Sequence, residues 1–329
     1  DPGPVCYGRG GDRPTVTDAN LLLGRQPADL AGGEISLDVE RAKNAVMRHV
    51  ADPLGLSLEE AAHGIIRIVN ENMLGALRVV SVQRGVDPRD LVLVPLGGAG
   101  PVHGARLAQL VGIDTMLVPP APGVLSALGF LVSEIKNVFT LTRVAVLDSL
   151  DIARCNRDLH RLMGQAEGWL EQEDVPSGDR EIAVALDLRY QGQAYELPIA
   201  IPPRLDGAVV RGAAQRFHIE HKRRYGFDEP FAGIEVVTLR VTAVGKLPKP
   251  DLHPDEEQDP DPSAAQVGER DVYFDGAYHR TPVYGRSLLQ PGNRLPGPAI
   301  IVQADCTTVL EPEHSLRVDG FGNLVVHTK

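Results

Sequence analysis

Three glycines in the segment LVLVPLGGAGPVH, residues 91–103, form the pattern in this sequence that most resembles a ligand-binding turn. A turn at Gly97, Gly98 and Gly100 lets a planar ring or a phosphate approach the backbone closely, because no Cβ intervenes. The helix predicted to follow offers free N–H groups and the positive end of its dipole. The segment matches neither a P-loop nor a G-x-G-x-x-G fingerprint. A purely structural turn therefore remains an equal alternative, and His103 either contacts a ligand or caps the helix.

A second glycine-rich segment lies at residues 1–20, DPGPVCYGRGGDRPTVTDAN. Its glycines, together with Arg9 and Arg13, could hold an anion. Asp18 is the candidate catalytic residue, because its carboxylate could orient a water molecule or bind Mg²⁺. The alternative is that Thr17 or Asp18 only caps the helix that follows. Cys6 has no identifiable base nearby, so it is expected to pack as a small apolar side chain.

His218 and His221 are three residues apart on a predicted helix, a spacing that could bring two ligands to one metal ion. The neighbouring basic residues, Lys222–Arg224, would repel a cation. A solvated helix face is therefore favoured over a metal site.

The elements that position these residues follow from the hydrophobic pattern. Ser57 and Glu60 form a capping box, and apolar residues then recur with helical period up to Val80. Residues 91–96 predict a strand covered on both faces, residues 105–111 a helix that ends at Gly112, and residues 115–118 a further strand. Strand, helix and strand in this order predict a sheet that is at least partly parallel.

The pattern changes after residue 137. Strands are predicted at 138–147, 181–201 (turning near Gly192) and 234–244, with helices at 151–173 and 208–225, which is typical of an α+β domain. Residues 247–266 are rich in proline and in acidic residues and poor in apolar ones, so they predict a linker. Short strands between glycine and proline turns then predict a small β-rich module.

Composition excludes several classes of protein. The 44 acidic and 33 basic residues give a net charge of −11, which argues against a nucleic-acid partner. No apolar stretch reaches the roughly 18 residues that span a bilayer. Cys6, Cys155 and Cys306 lack metal or disulfide spacing, and we expect a cytoplasmic location. The chain does not begin with Met, which suggests a truncated, processed or fragment chain.

Six segments, in order along the chain, resemble the hydantoinase A/oxoprolinase family. This family includes ATP-dependent N-methylhydantoinases and 5-oxoprolinases, and acetone and acetophenone carboxylases have a related subunit. The segments are DPGPVCYGRGG (1–11), PTVTDANLLLGR (14–25), GGAGPVH (97–103), VPPAPGVLSALG (118–129), LRYQGQ (188–193) and GPAII (297–301). They are spread along the chain from residue 1 to residue 301.

The resemblance implies an α/β fold. Residues 1–135 would form the second-lobe portion of an actin/Hsp70-like (ribonuclease-H-like) ATPase domain. We expect an α+β domain at 136–246, an acidic proline-rich linker at 247–266 and a β-rich C-terminal module at 267–329. The two phosphate-gripping motifs of the family lie before its CYGRGG loop, so the chain is not expected to hold the phosphates of ATP alone.

The resemblance also implies binding residues. In such ATPase folds a Gly-Gly turn between a strand and a helix holds the adenosine, which implies a nucleotide-binding set of Gly97, Gly98, Ala99, Gly100 and His103. The implied anion or substrate loop consists of Cys6, Tyr7, Gly8, Arg9, Gly10 and Gly11. No metal ligand is assigned.

The implied activity is that of one component of an ATP- and Mg²⁺-using amidohydrolase. It would open a cyclic amide, such as a hydantoin, 5-oxoproline or a related lactam, by phosphorylating the carbonyl oxygen. The implied partners are the N-terminal half of the same subunit and a hydantoinase B-type subunit, in a hetero-oligomer without which the chain is inactive. One alternative is a subunit of an acetone/acetophenone-type carboxylase. Another is a non-catalytic assembly module, which tight ATP binding by the isolated chain would exclude.

Overall fold

The computed structural model describes residues 2–30 and 33–329, with the backbone but not the side chain of Leu30. Asp1, the first residue of the N-terminal motif, lies outside this range. The chain forms two compact units. One contains Asp1–Gly129 and Asp251–Lys329, and the other contains Phe130–Pro250.

The first unit contains the helices on which most candidate residues lie. They are α1 (Val16–Leu22), α2 (Val39–Val46), α3 (Asp52–Leu54), α4 (Leu58–Val80) and α5 (Gly100–Val111), and α6 (Leu125–Val132) extends across the boundary between the units. The capping box that starts α4 is confirmed, because Ser57 Oγ accepts from Glu60 N at 3.2 Å and Glu60 accepts from Ser57 N at 2.8 Å. Gly112 ends α5 in the left-handed conformation, as expected.

The buried face of α4 differs from the sequence expectation. Residues buried along it include Ala62, Ile66, Asn70 and Leu74, which are spaced four apart. Ile68, which the apolar pattern placed on the inner face, is 67% exposed. Apolar residues occur on both sides of this helix, so the period identified the helix but not the side that packs.

The first unit also contains two larger sheets. One has the order β11 (Arg294–Pro296), β14 (Ser315–Val318), β15 (Leu324–His327), β4 (Thr115–Val118) and β3 (Val92–Leu93). The other has the order β13 (Thr307–Leu310), β12 (Ala299–Val302), β10 (Ala277–Gly285) and β9 (Gln266–Phe274). A separate small pair consists of β1 (Asp29–Leu30) and β2 (Ile35–Ser36).

The expected parallel pairing is confirmed, since β3 runs parallel to β4 with Val92 opposite Thr115. The expectation that residues 91–96 are covered on both faces is wrong. β3 is only two residues long and lies at the edge of its sheet, and the apolar side chains around it are between 41% and 54% exposed: Leu91, Val92, Val94 and Leu96.

The strands at 267–329 do not form a module of their own. β15 pairs with β4 along its whole length, from Leu324 opposite Val118 to His327 opposite Thr115. One core therefore joins side chains of α5 and β4 to side chains of the C-terminal strands. The sequence could not indicate this pairing, because the two strands are about 200 residues apart and each has only a local pattern.

The proline-rich segment before these strands is attached to them through its backbone. Asp255 N donates to Gly320 O at 2.8 Å, Gln258 N donates to Pro291 O at 2.7 Å, and Pro260 O accepts from Arg294 N at 2.9 Å. The segment lacks apolar side chains, as expected for a linker, but hydrogen bonds hold it against the C-terminal strands.

The second unit is an antiparallel sheet with two long helices. The sheet has the order β5 (Ile135–Val146), β8 (Ile234–Gly245), β6 (Arg180–Tyr190) and β7 (Leu197–Ile201), and the helices are α7 (Ile152–Gln172) and α8 (Gly207–Tyr225). Both helices and the sheet contribute to one apolar core. The whole fold is mixed α/β with several sheets. No helix among the described residues is long and apolar enough to cross a membrane.

Candidate functional site

A single buried carboxylate holds the loop that precedes α1. Asp18, in the first turn of α1, is fully buried and accepts hydrogen bonds from the backbone N–H groups of Val5 (3.2 Å), Cys6 (2.8 Å) and Thr15 (2.7 Å). The Thr15 hydroxyl donates a fourth bond at 2.9 Å. Because the carboxylate is shielded from solvent and occupied by four donors, it has no access to a water molecule or Mg²⁺ ion in the cavity. This geometry favours a structural role for Asp18, the holding of the loop, and the catalytic role stays a prediction.

The Cys6 thiol is 1% exposed and packs with Leu21, Leu37 and Ala42. Burial, and then the hydrogen bond and charge of Asp18, raise its pKa to about 12. Since the thiolate is the nucleophilic form, Cys6 is inert at neutral pH. The expectation that it packs as an apolar side chain is confirmed.

The glycine turn is tied to the segment that follows β4. Gly97, with φ +79°, donates its N–H to Pro122 O at 2.8 Å. A Cβ on Gly98 would lie 3.0 Å from Asp305 O. No side chain caps the start of α5 at Ala99. Pro101 has no N–H, and Val102 N donates to Ala99 O at 3.2 Å, so few N–H groups remain free at this helix start. The turn offers a ligand close access to the backbone of Gly98 and Ala99.

His103 does not cap α5 but joins three helices. Its Nδ1 lies 2.8 Å from Asn70 Oδ1 on α4, and its Nε2 lies 3.3 Å from Asn20 Nδ2 on α1. Burial, and then the charge of Arg25, lower its pKa to about 4. The imidazole is therefore neutral at pH 7, with Nδ1–H donating to Asn70 and Nε2 accepting from Asn20. In this arrangement Asn20 Oδ1 has no hydrogen-bond partner.

These elements surround a cavity of about 1040 Å³. It brings together four members of the predicted binding sets, Tyr7, Gly98, Ala99 and His103. Asp18 does not line the cavity. The remaining members of the two predicted sets do not line it either, and they belong to the loop or the turn instead: Cys6, Gly8, Arg9, Gly10, Gly11, Gly97 and Gly100. Gly11 illustrates this, because a Cβ there would lie 2.5 Å from Gly3 O.

Several residues of the cavity wall were missed by sequence reasoning. Arg270 on β9 and the loop at residues 303–307 line the cavity, as does Asn20. This loop is fastened to the segment after β4, because Asp305 Oδ2 accepts from Gly123 N at 2.8 Å. The only sequence signal for this contact was Gly123, in the motif at 118–129. Arg270 has no local motif around it.

The histidine pair on α8 has a structural role. His221 is 2% exposed, with Nδ1 2.8 Å from Phe227 O and Nε2 3.2 Å from Gln193 Oε1. His218 Nδ1 lies 2.6 Å from the hydroxyl of Tyr190. The expectation of a solvated face is wrong for His221, which lies within an aromatic cluster. Across the described part of the chain, no group of three or more His, Cys, Asp or Glu side chains could hold a metal ion.

Family models match almost the whole chain. The hydantoinase/oxoprolinase model matches residues 1–138, and the model of the hydantoinase/oxoprolinase C-terminal domain matches residues 152–328. The chain belongs to the hydantoinase/oxoprolinase family.

Curated relatives include two kinds of enzyme subunit. The chain is 34% identical over 326 residues to the caprolactamase subunit alpha of Pseudomonas jessenii, which covers 97% of this chain and 47% of the relative. It is also 34% identical over 341 residues to the acetophenone carboxylase gamma subunit of Aromatoleum aromaticum, covering 98% and 46%. The chain therefore spans about half the length of these relatives.

Solved structures share the fold. A nucleotide-free acetone carboxylase, from work on ATP-dependent acetone carboxylation, matches with a TM-score of 0.86 at 24% identity, over 99% of this chain and 48% of the other. The ATP-dependent caprolactamase from Pseudomonas jessenii matches with a TM-score of 0.77 at 33% identity, over 99% and 48%. Relatives of this family are thus ATP-dependent enzymes of more than one reaction type.

Proposed function

We propose that this chain is part of an ATP-dependent enzyme that opens a cyclic amide, with the 1040 Å³ cavity as its ligand site. The observation that carries this proposal is the composition of the cavity wall. Tyr7 from the predicted anion loop and Gly98, Ala99 and His103 from the predicted nucleotide turn line one space, although they are about 90 residues apart. Pockets of this size with a few polar groups are typical ligand sites.

The residues of the wall fit a nucleotide. The backbone of Gly98 and Ala99, which lines the cavity beside the uncapped start of α5, suits a phosphate or a ring acceptor. Neutral His103 holds α1 and α4 against α5 without adding a charge to the site. Residues 1–135 would then act as the second lobe of an actin-like ATPase domain.

ATP would supply the phosphoryl group that converts an unreactive amide carbonyl into an imidate phosphate, which water can attack. Mg²⁺ is commonly held in such sites by phosphate and water oxygens with one or two carboxylates. The contribution of this chain is to orient the ligand at the glycine turn and to exclude water behind it. Asp18, being occupied by backbone donors, supports the loop and takes no part in proton transfer.

The proposed partners are the N-terminal half of the same subunit and a hydantoinase B-type subunit. Relatives named as alpha, beta and gamma subunits support a hetero-oligomer. The edge strand β3 has an exposed apolar side chain at Val92, and a second follows it at Val94, so this edge is suited to pairing with a further strand.

The test is nucleotide turnover by the complete subunit with its B-type partner. ADP release should increase on adding a hydantoin, 5-oxoproline or caprolactam. Gly98→Val should reduce this turnover at least tenfold, because its side chain would meet Asp305 and fill the cavity wall. Gly64→Ala, on α4 with no atom within 4 Å of the added Cβ, is the matched control and should leave turnover unchanged.

A carboxylase is the second candidate, because the acetophenone carboxylase subunit is as similar to this chain as the caprolactamase subunit. In that case the rate of nucleotide cleavage should not change on adding any lactam, and it should increase on adding a ketone and bicarbonate. That pattern would replace the cyclic amide as the proposed substrate while retaining the cavity as the ligand site.

A further inference from the structure

Arg270 is the cationic side chain of the cavity wall that has no partner in the described part of the protein. It lies on β9 and is only partly exposed, and its side chain makes no hydrogen bond or ion pair with the described residues. Burial alone lowers the pKa of its guanidinium, with no contribution from a neighbouring carboxylate. A guanidinium that has lost part of its hydration is normally compensated by an anion.

The missing partner does not reflect a lack of carboxylates nearby. Glu269 and Asp271, the residues on either side of Arg270, both lie near Arg280 of β10, at 3.0 Å and 3.8 Å. Because successive side chains of a strand point to opposite faces, these two carboxylates are turned toward Arg280 and away from Arg270. The residue opposite Arg270 across the ladder is Thr281, whose hydroxyl is bonded to His279 O.

The other acidic side chains of the cavity wall either have a different hydrogen-bond partner or lie at another position. Asp305 accepts from Gly123 N at 2.8 Å and from the Gln303 side chain. Asp29 is exposed on the small strand β1. The wall also offers the hydroxyl groups of Tyr7 and Thr17, which can donate to an oxyanion. Glu269 also lines the cavity, but its carboxylate is paired with Arg280. Arg270, Tyr7 and Thr17 thus give the wall side-chain donors that an oxyanion could use.

We propose that Arg270 binds the oxyanion of the cavity's ligand, either the carboxylate of an acidic cyclic amide or a phosphate of the nucleotide. The planar guanidinium suits both groups, because it can donate two parallel hydrogen bonds. The inference rests on the proposed function in one respect, that the ligand is the substrate or the nucleotide. It adds that the site prefers an anionic ligand, because a neutral ligand cannot make the contact with Arg270.

Two pairs of probes that differ only by the anion test this assignment. 5-Oxoproline and 2-pyrrolidinone differ by the carboxylate, and ADP and adenosine differ by the diphosphate. Calorimetric titrations of the complete subunit are compared for the parent, Arg270→Gln, Arg270→Lys and Arg280→Gln. Arg280 is the matched control, because it lies on the next strand, does not line the cavity and is already paired with carboxylates.

Arg270→Gln should weaken the anionic member of one pair by about 10- to 150-fold and leave its neutral counterpart within about twofold, as expected for losing a charge-assisted hydrogen bond. Arg270→Lys should recover part of the loss, and Arg280→Gln should change neither pair. An effect on 5-oxoproline identifies the substrate carboxylate, and an effect on ADP identifies the nucleotide phosphate.

Equal weakening of charged and neutral probes would make Arg270 a structural residue and overturn the proposal. So would unchanged binding of both anions, or a parent protein that binds none of the four probes. The outcome is separate from that of the proposed function. Arg270-dependent anion binding without lactam- or ketone-stimulated ATP cleavage would retain the site and reject the reaction.

Discussion

Replacing Asp18 by Asn should loosen the N-terminal loop while leaving the rest of the protein intact. Asp18 Oδ2 accepts from Val5 N, Thr15 N and Thr15 Oγ1, and Oδ1 accepts from Cys6 N. An asparagine can present its single oxygen to the first three donors. Its NH₂ group would then face the N–H of Cys6, and two donors would be left without an acceptor.

The expected loss of local stability follows from these contacts. An unsatisfied buried donor costs about 1–3 kcal/mol, and the three retained bonds lose the assistance of the negative charge, which roughly halves their strength. With two such donors and three weakened bonds, the sum is at least about 4 kcal/mol for the loop. Asp38→Asn is the matched control. Asp38 caps α2 by accepting from Arg41 N at 3.0 Å, and Asn caps a helix about as well as Asp does.

Hydrogen exchange followed by mass spectrometry measures this effect locally, which avoids assuming that the two units unfold together. Peptides containing Cys6 and Thr15 should exchange at least about 100-fold faster in Asp18→Asn, and peptides from α7 should be unchanged. Asp38→Asn should leave the loop as it is in the parent. The structural interpretation is refuted if exchange of the loop is unchanged while nucleotide turnover is abolished, because that is the behaviour of a catalytic carboxylate.

Three further predictions concern the cavity and its surroundings. Gly123→Ala should lower the free energy of unfolding by about 1–3 kcal/mol, because the new Cβ would lie 2.6 Å from Asp305 Oδ2 and displace a hydrogen-bonded carboxylate. Gly75→Ala, which has no atom within 4 Å of the new Cβ, should be neutral or stabilising. Urea denaturation, followed by hydrogen exchange in the first unit, compares the two variants. All three cysteines are buried, so none should react with a maleimide at pH 8 until urea is added, and early labelling of Cys6 would contradict its raised pKa of about 12. His103 should titrate near pH 4 by NMR. Because this pKa lies below the value of 6.5 for an unperturbed histidine, the unfolded chain takes up the proton at a higher pH than the folded chain does. The folded state should therefore lose about 3 kcal/mol of stability as the pH falls from 6.5 to about 4. A midpoint above 6, or a His103→Gln variant with the same pH dependence, would contradict this.

The sequence by itself determined the local elements and the family. Ser57 and Glu60 mark the start of α4, and Gly112 marks the end of α5, because capping and left-handed turns involve residues only a few positions apart. The parallel pairing of β3 with β4 also followed from local order along the chain. The six motif segments indicated the family without any tertiary information.

Only the tertiary structure decided which of these residues share a site. Asp18 is of a residue type that often acts in catalysis. Its four hydrogen-bond donors come from a loop whose path the sequence does not specify. The neutral state of His103 depends on burial and on the charge of Arg25, and its orientation depends on Asn70 and Asn20, which are 33 and 83 residues away. Arg270 has no local motif, and only the folded chain shows that it lines the cavity without an acidic partner. Burial and long-range pairing set charge, access and partners, and these are properties of the packed chain rather than of any one segment.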